Sequence, residues 1–248
     1  MMRGLWKLTW LELKIFAREP LGLVGALIVP AVLVVGLGRA FGGAARAAPR
    51  LGDFVAVDLP VLAALMIALN TVLSLVTIIS IYREGGILKR LRATPLGPTR
   101  ILTAHVVVKV VMTIATLIVT IAAGRRIIAV SLDLRLLSFA AALLVSMLST
   151  LTIGFVIASV VPTARFAQPV GGFVLYPMLF LSGLFYPIAS MPPALRAIAH
   201  VLPLTYAVSL LRGIWTGEPW RAHAVDVGAL AIFAALFTAL AARFFRWE

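Results

Sequence analysis

The residues with the most to offer chemically sit in one polar interruption, Tyr82-Arg83-Glu84-Gly85-Gly86-Ile87-Leu88-Lys89-Arg90-Leu91-Arg92-Ala93-Thr94-Pro95-Leu96. Arg83, Lys89, Arg90, Arg92 and Arg100 are cationic, and Glu84 is the single acid among them. Ile87, Leu88 and Leu91 fall at i, i+1 and i+4, so they share one helical face while Lys89, Arg90 and Arg92 point elsewhere. Gly85-Gly86 allows a sharp bend before this helix, and Pro95 and Pro98 stop it. The pattern predicts a short amphipathic helix over residues 84–94, with an apolar ridge edged by cations. It is a contact surface rather than a set of reacting groups. A basic loop that only sets topology is the plainer reading of the same residues.

The other ionisable candidates are few. His105 and Lys109 are one turn apart, and Thr113 and Thr116 continue their face. Ionisable groups inside a span are functional candidates. Lys109 lies roughly 12 Å along its helix, close enough to snorkel back to the interface, and snorkelling is the expected use. His200 and His223 lie too far from other ligand types in the sequence to suggest a metal site, and with no cysteine there is neither disulfide nor thiolate chemistry. Neither a Gly-x-x-x-x-Gly-Lys-Ser/Thr phosphate loop nor a Gly-x-Ser-x-Gly or His-Glu-x-x-His motif occurs. No catalytic residue and no cofactor bound by the chain is expected. None of the 9 acids falls clearly inside a span, whereas an ion-coupled carrier usually needs an embedded carboxylate. Energy is therefore expected from outside the chain.

These groups are positioned by membrane spans. Hydrophobic residues make up 62% of the 248, which no soluble domain of this length matches. The chain has room for about six spans and reads as one domain, residues 1–248, of the all-α class. The formal charge of +13 is scattered among loops without interleaved aromatics, which argues against nucleic acid and for headgroup contacts and topology. Arg3, Lys7, Lys14 and Arg18 form one narrow stripe on residues 3–18, predicting an interfacial helix with a basic face against the bilayer surface. Charges at Lys7, Glu12, Lys14 and Arg18 are unlike a cleavable signal peptide.

Spans are expected at about 21–38, 59–82, 101–123, 136–161, 166–187 and 225–242. The second carries Asn70, Ser74 and Thr77 at i, i+4 and i+7, a polar stripe for helix packing or for lining a path. The fourth carries the small residues Ala142, Ser146, Ser149 and Gly154, which permit close helix contact. The fifth carries Phe173, Tyr176 and Phe180 on one face, as core packing or as an aromatic wall for an amphipathic substrate. Between the fifth and sixth lie stretches too short to span, expected as short helices on the outer side. Slightly more of the 22 Lys and Arg fall inside than outside, with Arg125, Arg126 and Arg135 running against the trend.

Two stretches carry a family resemblance. Residues 83–96, Arg-Glu-x-Gly-x-Leu-x-Arg-Leu-x-Ala-Thr-Pro-Leu, and the later Ser182-Gly183-Leu184-Phe185-Tyr186-Pro187, Met191-Pro192 and Leu202-Pro203-Leu204-Thr205-Tyr206 resemble the two signatures of type-2 ABC transporter permeases, within the antibiotic and drug-resistance exporter branch. Where that family commonly has Gly-Lys, this chain has Ala104-His105. The resemblance implies six transmembrane helices, both termini cytoplasmic in a bacterial cell membrane, an N-terminal elbow helix and a coupling helix that docks into a separate ATPase. It implies two cytosolic ATPase copies, which bind ATP and Mg, and a second permease copy or paralogue. On that basis Arg83, Glu84, Gly85, Gly86, Ile87, Leu88, Lys89, Arg90, Leu91, Thr94 and Pro95 form the coupling site. Ser182, Gly183, Phe185, Pro187, Pro192 and Pro203 form an outer-mouth motif. The alternatives are an ion-coupled carrier, or an intramembrane hydrolase using serine with His105, His200 or His223.

Overall fold

The computed structural model describes residues 9–11, 13, 14, 18, 20–42, 58–86, 98–124, 134–161 and 163–244. Their secondary structure is helical, with no strand among the described residues: α1 (Pro20–Gly42), α2 (Leu59–Glu84), α3 (Pro98–Gly124), α4 (Leu134–Val160), α5 (Ala164–Leu181), α6 (Pro193–His200), α7 (Pro203–Thr216) and α8 (Ala224–Phe244). Single 3₁₀ turns occupy Ile188–Ser190 and Trp220–His223. A chain this apolar must satisfy its backbone within each segment, and a helix does so.

Five helices, α1, α2, α3, α4 and α8 with the turn before it, are long and apolar enough to cross a membrane. The pair α6 and α7, bent by 80°, would make a sixth if it counted as one broken span. The expected fifth span, 166–187, is shorter than expected: α5 ends at Leu181 and is not among the five. Its first turns carry Arg165 and Gln168, and prolines 169 and 177 lie inside it. The short helices expected between the fifth and sixth spans are α6 and α7. Pro98, expected only as a stop, is the first residue of α3, a position where its missing N–H has no partner to lose.

α2 is the axis of the bundle. It packs most extensively on α4 and α5, then on α1 and α3; α4 in turn carries α7 and α8. Leu65, Leu69, Leu75 and Ile79 of α2 are fully buried, as are Leu143, Met147 and Leu151 of α4. Close approach is set by small residues. A Cβ on Gly154 would stand 2.9 Å from Val72 Cγ1, and one on Gly171 would stand 2.6 Å from Leu73 Cδ2. Ala142, Ser146 and Ser149 are buried on α4, and the Ser149 hydroxyl donates to the Leu230 carbonyl of α8 at 2.8 Å. α8 leaves Val225, Ile232 and Leu236 exposed.

Of the expected interfacial helix, Lys14 and Arg18 are helical and exposed, as is Trp10, while Arg3 and Lys7 lie outside the described residues. So do Ile87, Leu88, Lys89, Arg90, Leu91, Thr94 and Pro95. The helix expected over 84–94 cannot begin at Glu84, because Glu84 closes α2 and Gly85-Gly86 form a turn.

Candidate functional site

The last turn of α2 puts two opposite charges side by side, and each reaches a different helix end. Arg83 Nη1 donates to the carbonyls of Ala158 at 3.0 Å and Ser159 at 3.4 Å. Those carbonyls belong to the last turn of α4, where the helix dipole is negative and a cation is favoured. Glu84 Oε2 accepts from the Ala164 backbone N–H at 2.9 Å. That N–H opens α5, whose own N-cap residue, Thr163, makes no side-chain cap. An acid at a helix N-terminus is favoured for the converse reason. Arg83 and Glu84 thus close the α4–α5 turn from both sides and tie it to the base of the segment that follows. Gly86 takes φ +66°, and its N–H bonds the Arg83 carbonyl at 3.0 Å. Gly85 is right-handed at φ −75°, so the bend rests on Gly86 and not on both glycines.

The polar residues of α2 and α3 meet inside the bundle. His105, 3% exposed, lies edge-on to Tyr82 with ring centroids 5.3 Å apart. Lys109, 6% exposed, donates to Ser74 Oγ at 2.6 Å. Snorkelling is therefore not what the lysine does; its hydroxyl partner holds it in the interior. Thr113 lies 3.3 Å from the Thr71 hydroxyl and donates to Met147 Sδ of α4 at 2.9 Å. Thr116 continues this buried face. Of the expected stripe, Ser74 is used by Lys109, Thr77 bonds the Leu73 carbonyl of its own helix at 2.9 Å, and Asn70 is half-buried.

The aromatic face of α5 points away from the chain's core. Phe173 is 82% exposed, and Tyr176 and Phe180 are exposed beside it. Gly171, Leu175 and Leu179 form the packed face, against α2. The packing use of the three aromatics is thereby overturned within this chain. Just after α5 Ser182 is buried and its hydroxyl donates to the Leu179 carbonyl. Gly183 takes φ +88°, and a Cβ there would meet Ile188. Phe185 lies against Phe180 at 5.4 Å. Pro187 and Pro192 precede the 3₁₀ turn and α6, and Pro203 is buried at the start of α7.

Two clusters around α7 and the start of α8 were missed. Arg212 of α7 pairs with Asp58, the residue before α2; a contact between positions 154 apart leaves no trace in local spacing. His223 was expected to stand apart from other ligand types. Instead Nδ1 meets Asp226 at 2.8 Å and Nε2 meets Glu218 at 3.2 Å. The i,i+3 spacing of His223 and Asp226 could have signalled the first contact. The acids sit on opposite edges of the ring, and no group able to hold a metal occurs among the described residues. Ser209 bonds Asp226 at 2.8 Å, so serine and histidine share an acid rather than facing each other as nucleophile and base. His200 is exposed, its carbonyl accepting from Tyr206 at 2.8 Å.

The fold and this site define a multi-pass helical membrane protein whose α2 and α3 are joined by a basic stretch of sequence. Residues 3–216 match the model of the ABC-2 type transporter membrane family, and the chain belongs to that family. It is 26% identical over 236 residues to the daunorubicin resistance ABC transporter permease protein DrrB1 of Streptomyces coeruleorubidus, covering 92% of this chain and 82% of that one. It is also 37% identical over 62 residues to nodulation protein J of Sinorhizobium fredii and 31% identical over 85 residues to that of Neorhizobium galegae. Those two matches span 24% and 32% of the relatives' own length.

Proposed function

We propose that the chain is the membrane-spanning permease subunit of an ATP-binding cassette exporter that moves an amphipathic drug, antibiotic or lipid-like substrate out of a bacterial cell. Family membership over residues 3–216 carries this reading. In this reading the chain crosses six times, at α1 to α5 and α8, both termini are cytoplasmic, and α6 and α7 form a bent pair on the outer side. Residues 3–18 form the interfacial elbow. Two copies of a cytosolic ATPase hold ATP and Mg; a second permease copy or paralogue completes the path.

Of the expected coupling residues, Ile87 to Pro95 supply the docking element. Ile87, Leu88 and Leu91 fill an apolar cleft on the ATPase, flanked by Lys89 and Arg90, and Thr94-Pro95 end the element. Arg83 and Glu84 act at its root. Their bonds to the ends of α4 and α5 support a role in passing movement of the docking element to those helices. The exposed Phe173, Tyr176 and Phe180 supply the aromatic surface an amphipathic substrate needs.

The test is transport in inverted membrane vesicles carrying the chain and its ATPase, with daunorubicin as the probe. ATP-dependent, vanadate-sensitive accumulation that survives ionophores is expected. A second reading, an ion-coupled carrier, draws on His105 and Lys109 being buried within α3. It requires accumulation that collapses with the ion gradient and ignores vanadate, and that result would replace the first reading.

A further inference from the structure

We infer that the polar ladder between α2 and α3, centred on Lys109 and Ser74, locks the two helices into one lever, so that a push on the segment joining them reaches mid-bundle without loss. The inference rests on the ATP-driven reading and assigns a positioning role to a lysine that reading leaves unused.

The ladder has three rungs. Tyr82 and His105 pair their rings, Lys109 donates to Ser74, and Thr113 meets Thr71. On α3 the rungs fall at 105, 109 and 113, one per turn; on α2 they run in the opposite direction at 82, 74 and 71. His105, Lys109, Thr113 and Thr71 are all buried. α2 ends and α3 begins at the two edges of residues 85–97. From those edges Ser74 and Lys109 lie roughly 15 Å along their helices, well above any docked partner.

Direction is what these bonds add. Apolar contact is non-directional, so two greasy helices can slide or roll against each other at little cost. A hydrogen bond demands a narrow distance and angle, and the Lys109–Ser74 bond, with the Tyr82–His105 ring contact and the Thr71–Thr113 touch on the same seam, fixes the axial register. This matters more for α2 and α3 than elsewhere, because α2 packs less extensively on α3 than on α4, α5 or α1. An amine is also a costly group to bury, and an apolar side chain would fill its place without that cost. At the third rung Thr71 gives its proton to the Ile67 carbonyl and Thr113 gives its own to Met147, so the two hydroxyls touch without sharing a proton and Thr113 links the lever to α4.

The absence of cysteine makes the test direct. Spin labels at Ile81→Cys and Val111→Cys, both exposed positions, report the separation of α2 from α3. Labels at Ile81→Cys and Ile232→Cys report α2 against α8. Distances are measured for the permease with its ATPase in nanodiscs, without nucleotide and with ATP and vanadate. In the parent protein the α2–α8 distance is expected to shift on trapping while the α2–α3 distance stays fixed. In Lys109→Met the α2–α3 distance is expected to broaden or shift on trapping, with ATP hydrolysis retained. Ser74→Ala removes the same rung with a smaller change and should loosen the pair likewise. An α2–α3 distance that moves in the parent, or one that stays fixed in both variants, overturns the lever. If neither distance responds to ATP and vanadate in the parent complex, the ATP-driven reading fails instead, and the ladder's role falls with it.

Discussion

Arg83 and Glu84 show how one dipeptide can serve two helix ends. The arginine neutralises the last carbonyls of α4 and the glutamate replaces the missing cap of α5. Glu84 is exposed, so solvent screens its contribution. Glu84→Ala is expected to lower thermal stability by under about 1 kcal/mol, a small shift in a melting experiment, with a larger effect on coupling between ATPase and permease. At the neighbouring bend, Gly86→Ala places a side chain at φ +66° and should cost about 1 kcal/mol. Gly85→Ala is right-handed already and should cost clearly less in the same melting assay. The motif was legible in the sequence, yet its charges read as facing a partner. Their partners lie 75 to 80 residues away, where no spacing rule reaches. Lys109 illustrates the same limit. Its depth allowed snorkelling, and the choice was made by a serine on another helix.

At the scale of elements, position along the chain was legible because an apolar run of about 20 residues has one stable form in lipid. Facing was less so. Phe173, Tyr176 and Phe180 shared a face as expected, but which face met the core depended on Gly171, whose missing side chain admits Leu73. Gly171→Leu is expected to force α5 away from α2, with a loss of about 1–3 kcal/mol, read as a lower melting temperature in detergent. Phe173→Ala, on the exposed side, should leave that temperature unchanged. A related test concerns α7. A Cβ on Gly213 would fall 1.9 Å from His223 Nε2, so Gly213→Ala must displace the ring from Glu218 and Asp226. Gly213→Ala and His223→Ala should then be non-additive in a double-mutant cycle.

For the whole molecule, the sequence allowed six spans and one domain, and the described residues give five span-length helices with a bent pair beside them. The difference arises at α5, where a polar first turn and two prolines shorten the apolar run. The basic segment joins α2, the axis of the bundle, to α3, and its root is tied to α4 and α5. That arrangement suits a subunit driven from outside. The central claim is a stable complex with a P-loop ATPase, and the direct measurement is whether one co-purifies with the tagged chain in mild detergent. The account predicts retention by the parent protein and loss by Leu88→Asp with Leu91→Asp, with the permease itself remaining folded. Failure to retain any ATPase even after crosslinking, or full retention by the double variant, would contradict it.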